Sequence, residues 1–253
     1  MPSDDPIATF ERETELSSAA PTLIEGLPGH GMVASIAVDQ ITDQLGLAEH
    51  GTIRSEEFPP VAAFEHGRVR EAVRVYAGAD PDVMTLQSDV PIPPNSVRPL
   101  SRCVIEDLAD EFDRAIFLAG APADSEGQIG DVLGVATSDA VEADLEAAGI
   151  DVAEGPGAIG GVTGALVSDC FHADIPAAVL VVRANPYMPD PAAARSVIEN
   201  ALEPLVEFDI DTTELEEQAE QIQKQKEQIA KQLQQLQGAQ QQSQQPSGPS
   251  MYQ

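Results

Sequence analysis

The sequence predicts an α/β domain followed by a long, polar C-terminal helix. Short apolar runs alternate with amphipathic stretches from Pro21 to about Phe208, the pattern of strands interleaved with helices. The run at 177–182 is apolar throughout, as in a strand covered on both sheet faces. Beyond Asp211 the composition turns to Glu, Gln and Lys with isolated aliphatics at heptad spacing. These breaks divide the chain of 253 residues into an N-terminal segment (1–20), the α/β domain (21–210), a coiled-coil helix (211–237) and a flexible tail (238–253).

Residues 1–20 are polar and acidic and read as an edge segment or a tail. Residues 22–25 form a strand that runs into Gly26. After the turn, Met32, Val33, Ile36, Ala37, Ile41 and Leu45 fall at helical spacing on a helix that Gly46 ends. Runs at 61–64 and 69–76 flank Glu65-His66-Gly67-Arg68, a hairpin signal, and 83–87 is a further strand. Pro91-Ile92-Pro93-Pro94 must be a loop, and Pro99 is tolerated only in a first helical turn, so the helix carrying Leu100, Cys103, Val104, Leu108 and Phe112 starts beside it. Strands follow at 115–119 and 133–136, then a helix around 141–148 and the apolar strand at 177–182. Asp190 is a good N-cap with Pro191 at the first helical position, opening a helix whose Val197, Ile198, Ala201, Leu202 and Leu205 face the core. In the last helix Leu215, Ile222, Ile229 and Leu236 recur every seven residues, with Ala219, Lys226 and Leu233 in the complementary positions. That is a coiled-coil seam with one imperfect layer at Lys226, predicting self-association through Leu215, Ile222, Ile229, Leu233 and Leu236; the alternative is a solvated helix docked on the domain.

Charge excludes several functions. The chain has 43 acidic and 13 basic residues, a formal net charge of −30. Nucleic acid and anionic membrane surfaces are poor partners for it, because phosphate binding needs clustered Lys and Arg. All three lysines (Lys224, Lys226 and Lys231) lie near the C-terminus, which removes a Walker A loop, a pyridoxal Schiff base or a lysine base from the domain. An acidic, lysine-poor surface also suggests adaptation to high salt, where ions screen its self-repulsion. No run approaches the ~18 apolar residues of a membrane span, and the N-terminus lacks signal-peptide character, so a cytoplasmic location is expected. Cys103 and Cys170 are too few for a disulfide framework and show no metal-ligand spacing.

The loop Gly26-Leu27-Pro28-Gly29-His30-Gly31 lies between a strand and a helix, where its amides could face an anion. It fits no dinucleotide fingerprint; Gly26, Gly29, His30 and Gly31 stand as a candidate ligand loop against a reading in which the glycines serve backbone geometry. A second cluster, from Gly155 to Gly164, reads as a tight backbone crossing, with ligand binding as the alternative. There is no Gly-x-Ser-x-Gly elbow and no His-Glu-x-x-His pair, and His30, His50, His66 and His172 are scattered. Arg98 and Arg102, one helical turn apart, read as a solvated face. No catalytic residue, metal or cofactor is assigned. The last residues, Met251-Tyr252-Gln253, give a hydrophobic residue, a tyrosine and a free carboxylate, the order of the tails by which activators and assembly factors enter pockets between subunits of the proteasome core's outer ring.

Four stretches resemble the archaeal proteasome assembly chaperone family: Leu23-Ile24-Glu25-Gly26-Leu27-Pro28-Gly29-His30-Gly31-Met32-Val33, Ala119-Gly120-Ala121-Pro122, the run from Gly157 to Leu166, and Asn185-Pro186-Tyr187-Met188-Pro189-Asp190-Pro191-Ala192-Ala193. The resemblance implies a single three-layer α/β sandwich similar to nucleoside phosphorylases, no enzymatic activity, homo-oligomerisation, and binding to the proteasome core. It implies further that Met251, Tyr252 and Gln253 dock on the α-subunit ring, for assembly, for ATP-independent activation, or both. The alternative is a nucleoside-phosphorylase-like enzyme or small-ligand binder that uses the glycine loops.

Overall fold

The computed structural model describes residues 8–16 and 21–242 and, within the last helix, no side chain at 227 or beyond Ile229. The strands are β1 (Ala8–Arg12), β2 (Thr22–Gly26), β3 (Ala48–Ser55), β4 (Ala63–Glu65), β5 (Arg68–Arg70), β6 (Val73–Ala79), β7 (Asp82–Ser88), β8 (Arg114–Pro122), β9 (Val132–Ala136) and β10 (Ala177–Ala184). The helices are α1 (Val33–Gln44), α2 (Val97–Cys103), α3 (Asp139–Ala147), α4 (Gly161–His172), α5 (Pro191–Val197), α6 (Glu203–Val206) and α7 (Thr213–Gln242). Eight strands form one sheet in the order β1-β3-β6-β7-β2-β8-β10-β9. The central neighbours β7, β2, β8 and β10 run parallel, and antiparallel pairs complete both flanks.

Side-chain alternation divides the core between the two sheet faces. Ile24, Ile116, Leu118, Leu180 and Val182 pack with α1, α3 and α5 on one face. Leu23, Ala115, Phe117, Ala177 and Val179 pack with α2 and α4 on the other. The central strands are therefore apolar at nearly every position, as strands covered on both faces must be.

Local chemistry sets the ends of the elements. The Asp190 carboxylate accepts from Ala193 N at 3.2 Å and from Asn185 N at 2.7 Å, with Pro191 opening α5. Ser138 caps α3 by accepting from Val141 N at 3.4 Å. Gly46, at φ 59°, takes the left-handed position after α1. His66 and Gly67, both at positive φ, make the two-residue turn of the β4–β5 hairpin.

Several boundaries differ from the sequence expectation. Met32 has φ 50° and lies outside α1, 43% exposed, so it does not belong to the apolar stripe. The run at 69–76 is two strands, β5 and β6, in different sheets. The helix expected through Phe112 is an α-helical start followed by a π-type turn at Val104–Leu108 and a 3-10 turn at Ala109–Glu111. Strand β3, whose mixed sequence gives no alternation, is held between β1 and β6 and buries His50, which bonds Glu111 at 2.7 Å. Among the described residues no helix is long and apolar enough to cross a membrane.

Candidate functional site

A cavity of about 1010 Å³ opens at the carboxyl ends of β2, β8 and β10, the end at which open α/β sheets take ligands. One wall is the loop after β2, with Gly29 and His30, set against the Gly120 end of β8. The floor is the sheet face formed by Ala119, Leu133, Val135 and Val181. The far wall is the second glycine cluster and the first turn of α4, with Ile159, Val162 and Thr163. Ala119, Val135, Ile159, Val162 and Val181 are only partly buried, because α2 and α4 leave this corner of the sheet uncovered.

The glycines of the walls serve different ends. A Cβ on Gly120 would stand 2.3 Å from the His30 carbonyl oxygen, so this glycine lets the first loop lie on β8. Gly26 is set against Val38 of α1, and Gly31, at φ 63°, against Ala184 of β10. Of the four loop residues singled out in the sequence, Gly29 and His30 reach the cavity, whereas Gly26 and Gly31 pack against the helix and the sheet. In the second cluster only Gly164 makes a close crossing, 2.2 Å from the Ile159 carbonyl oxygen to the site of a Cβ. Gly155, Gly157, Gly160 and Gly161 have nothing within 4 Å of that site, so the tight crossing expected there is confined to one residue and the rest of the cluster borders open space.

Beneath the cavity lies Glu25, fully buried on β2. Its carboxyl accepts from Leu27 N at 3.0 Å and Leu118 N at 3.4 Å, and lies 3.3 Å from the Thr163 hydroxyl. Burial outweighs these hydrogen bonds and pushes its pKa up to about 8. At neutral pH Glu25 is thus a neutral acid, and Thr163, on the cavity wall, is the one of its three partners that can either donate to it or accept from it.

A second polar cluster lies on the other face of the sheet. Arg74, 2% exposed, makes a bidentate pair with Asp89 at 2.5 and 3.0 Å and donates from Nε to the Tyr76 hydroxyl at 2.8 Å. Burial works against the Arg74 charge, but the bonds to Asp89 and Tyr76 overcome it and raise its pKa. Nearby Asp39 is pushed up to about 6 by burial and by Asp43. The Arg74 bonds tie β6 to Asp89, just past the end of β7, and to the segment before β6.

The remaining sequence candidates are dispersed. Arg98 and Arg102 are exposed on α2 and neither lines the cavity. His172 donates from Nδ1 to the Ser168 carbonyl at 2.6 Å, and His66 is in the hairpin turn. Cys103 and Cys170 are free and buried, and burial pushes both thiols up to about 12. Among the described residues no group of three or more His, Cys, Asp and Glu side chains could hold a metal ion. Leu215 is 2% exposed within the domain's own core, Ile222 is half-buried and Ile229 is 58% exposed. The side chains of Leu233 and Leu236 lie outside the description, and Met251, Tyr252 and Gln253 lie outside the described residues.

Glu25, Thr163 and Arg74 were not singled out from the sequence. The signal for Glu25 and Arg74 was a charge inside an apolar strand run, Leu23-Ile24-Glu25 and Val73-Arg74-Val75, and it was hidden by a composition in which carboxylates are everywhere.

Comparison with known proteins adds relatives to this geometry. A family model described as the PAC2 family matches residues 23–230. An uncharacterized protein of Methanocaldococcus jannaschii, MJ0106, is 28% identical over 138 residues, covering 54% of this chain and 56% of the relative, so the match spans about half of that protein's length. Pyrococcus furiosus PbaA, described as an archaeal homolog of proteasome-assembly chaperone, superposes with a TM-score of 0.78 at 23% identity over 93% of this chain and 97% of its own. Pyrococcus furiosus PbaB, described as an archaeal proteasome activator, gives 0.78 at 20% identity over 88% and 99%. A Thermoplasma acidophilum protein of unknown function gives 0.71 at 26% identity over 88% and 91%.

Proposed function

The chain belongs to the PAC2 family, and from that premise we propose that it is a proteasome-binding protein, an assembly chaperone or ATP-independent activator rather than an enzyme. In this reading the terminal Met251-Tyr252-Gln253 docks into pockets of the proteasome core's α-subunit ring. Two structural relatives are described in those terms, one as a homolog of a proteasome-assembly chaperone and one as a proteasome activator. The observation that carries the reading to this chain is the placement of its hydrophobic-tyrosine-x terminus beyond a helical arm. Helix α7 has 30 residues, so at 1.5 Å per residue it extends about 45 Å. The terminus follows eleven residues after its end.

A single short tail buries little area, so useful affinity needs several tails presented together. The exposed Ile229, with Leu236 on the same heptad position and Leu233 on the complementary one, supplies a seam through which copies of α7 would associate in a coiled coil. Leu215 is occupied in the domain core, so the seam would begin beyond it, at Ile222. The lack of lysine before Lys224 leaves the domain without a P-loop, so the reading requires no ATP.

Co-sedimentation of purified proteasome core with the full chain and with a chain ending at Ser250, in concentrated NaCl, tests this. Binding by the full chain and loss on removing Met251 to Gln253 is the expected result; peptide hydrolysis by the complex then separates activation from assembly. Equal binding by both chains would refute tail docking, and binding by neither would refute the proteasome reading.

A further inference from the structure

We infer that the cavity at the carboxyl ends of β2, β8 and β10 is a binding site for a small, uncharged, largely apolar molecule that lies against the backbone at Gly29, Gly157 and Gly160. This goes beyond proteasome binding and is independent of it. The glycines carry the argument. A glycine is required where φ is left-handed or where a Cβ would collide with the rest of the chain. Among the described residues, Gly29, Gly127, Gly157 and Gly160 meet neither condition, having no left-handed φ and nothing within 4 Å of a Cβ. Three of these four converge on the cavity, Gly29 from the loop after β2 and Gly157 and Gly160 from the loop before α4. Nothing within the chain accounts for them there, whereas a molecule in van der Waals contact with the backbone does.

The chemistry of the walls selects the ligand class. The volume of about 1010 Å³ stands at the upper end of the ~300–1,000 Å³ typical of small-molecule sites. Leu133, Val135, Val181 and Ile159 supply an apolar surface, and among the described residues the lining side chains able to hydrogen-bond are His30, Glu142 and Thr163. No lysine or arginine among the described residues lines the cavity, in a chain of net charge −30, so a phosphate or other multiply charged anion finds no counter-ion and an unfavourable field. The Thr163 hydroxyl, positioned by the buried Glu25 carboxyl, offers the ligand one oriented hydrogen bond. Glu142, exposed to solvent, is the one carboxylate among the described residues that line the wall, and no second acid converges with it to hold a cation.

Fluorescence titration of the full chain with uncharged Nile red and with anionic anilinonaphthalene sulfonate tests this assignment. Nile red is expected to saturate at one molecule per chain and to bind at least tenfold more tightly than the sulfonate. Gly157→Phe projects a ring into the cavity and should weaken Nile red at least tenfold, as should Ala158→Phe if the first variant does not fold. Gly127→Phe, at an equally open glycine away from the cavity, should leave binding unchanged. Absence of saturable Nile red binding, equal effects at positions 127 and 157, or preference for the sulfonate would overturn the proposal. Sedimentation velocity completes the test: if Gly157→Phe dissociates an oligomer that Nile red enters only after dissociation, the occupant is a second copy of the chain and the small-molecule assignment falls.

Discussion

Replacing Glu25 with glutamine should change how stability depends on pH. In the unfolded chain this carboxyl titrates near 4.5, whereas in the fold burial holds it at about 8. Between those values the native state binds more protons than the unfolded state, so stability falls as pH rises. The contribution of the neutral acid is fully present below the lower value and is lost as pH climbs through the upper one. Two-state linkage with these values gives a loss of about 3 kcal/mol between roughly pH 5.5 and pH 8. For a domain of this size that corresponds to a fall of about 6–12 °C in Tm. Glu25→Gln keeps the side-chain volume and a carbonyl that can accept from Leu27 N, but it has no proton to exchange. Its amide will fit Leu118 N less well, which adds an offset that does not vary with pH. The abundant surface carboxylates titrate in both proteins, so the difference between the two Tm-versus-pH curves, measured in concentrated NaCl, isolates Glu25. A difference that grows by several degrees in favour of the Glu25→Gln variant across this window is expected. Parallel curves would refute the assignment of a buried neutral carboxyl beneath the cavity.

Other substitutions report on separate parts of the structure. Gly120→Ala would place a Cβ 2.3 Å from the His30 carbonyl oxygen, and should cost about 1–3 kcal/mol by urea unfolding while displacing the His30 loop. Asp190→Ala removes the α5 cap and the acceptor for Asn185 N together, with an expected loss of about 1–2 kcal/mol and faster proteolysis at the exposed Tyr187. Cys103 and Cys170, buried with thiols raised to about 12, should resist iodoacetamide in the native protein and react once denaturant unfolds it, as read by mass spectrometry.

The legible parts of this fold are those whose information is local. Asp190-Pro191 names a helix start because a carboxylate and a ring with fixed φ suit that position whatever surrounds them, and the observed cap follows. His66-Gly67 names a turn for the same kind of reason. Strand β3 was not legible. Its Glu, His, Thr and Arg carry no alternation, and it is a strand because β1 and β6 pair with it and Glu111 receives His50. The cavity was legible only in halves. Each glycine loop is evident in the sequence, but their meeting depends on β8 lying beside β2 and β10 beside β8, a fact of topology that no local pattern encodes. Glu25 was visible as a letter and invisible as an anomaly, since one more carboxylate among 43 acidic residues draws no notice until burial singles it out.

The start of α7 is fastened on several sides. Leu215 is in the core, Glu216 pairs with Arg195 at 3.2 Å, Gln40 and Gln44 of α1 hold the Asp211 carbonyl, and Glu203 receives Ile210 N. Mechanically, the arm is a cantilever clamped at its base rather than a tether hinged at a loop. A load applied at its far end is borne by α1 and α5, and through them by the sheet, before any residue of the junction can pivot. The direction in which the arm leaves the domain is therefore a property of the core, so changes at Gln40, Gln44 or Arg195 would re-aim whatever the chain carries at its end without touching it.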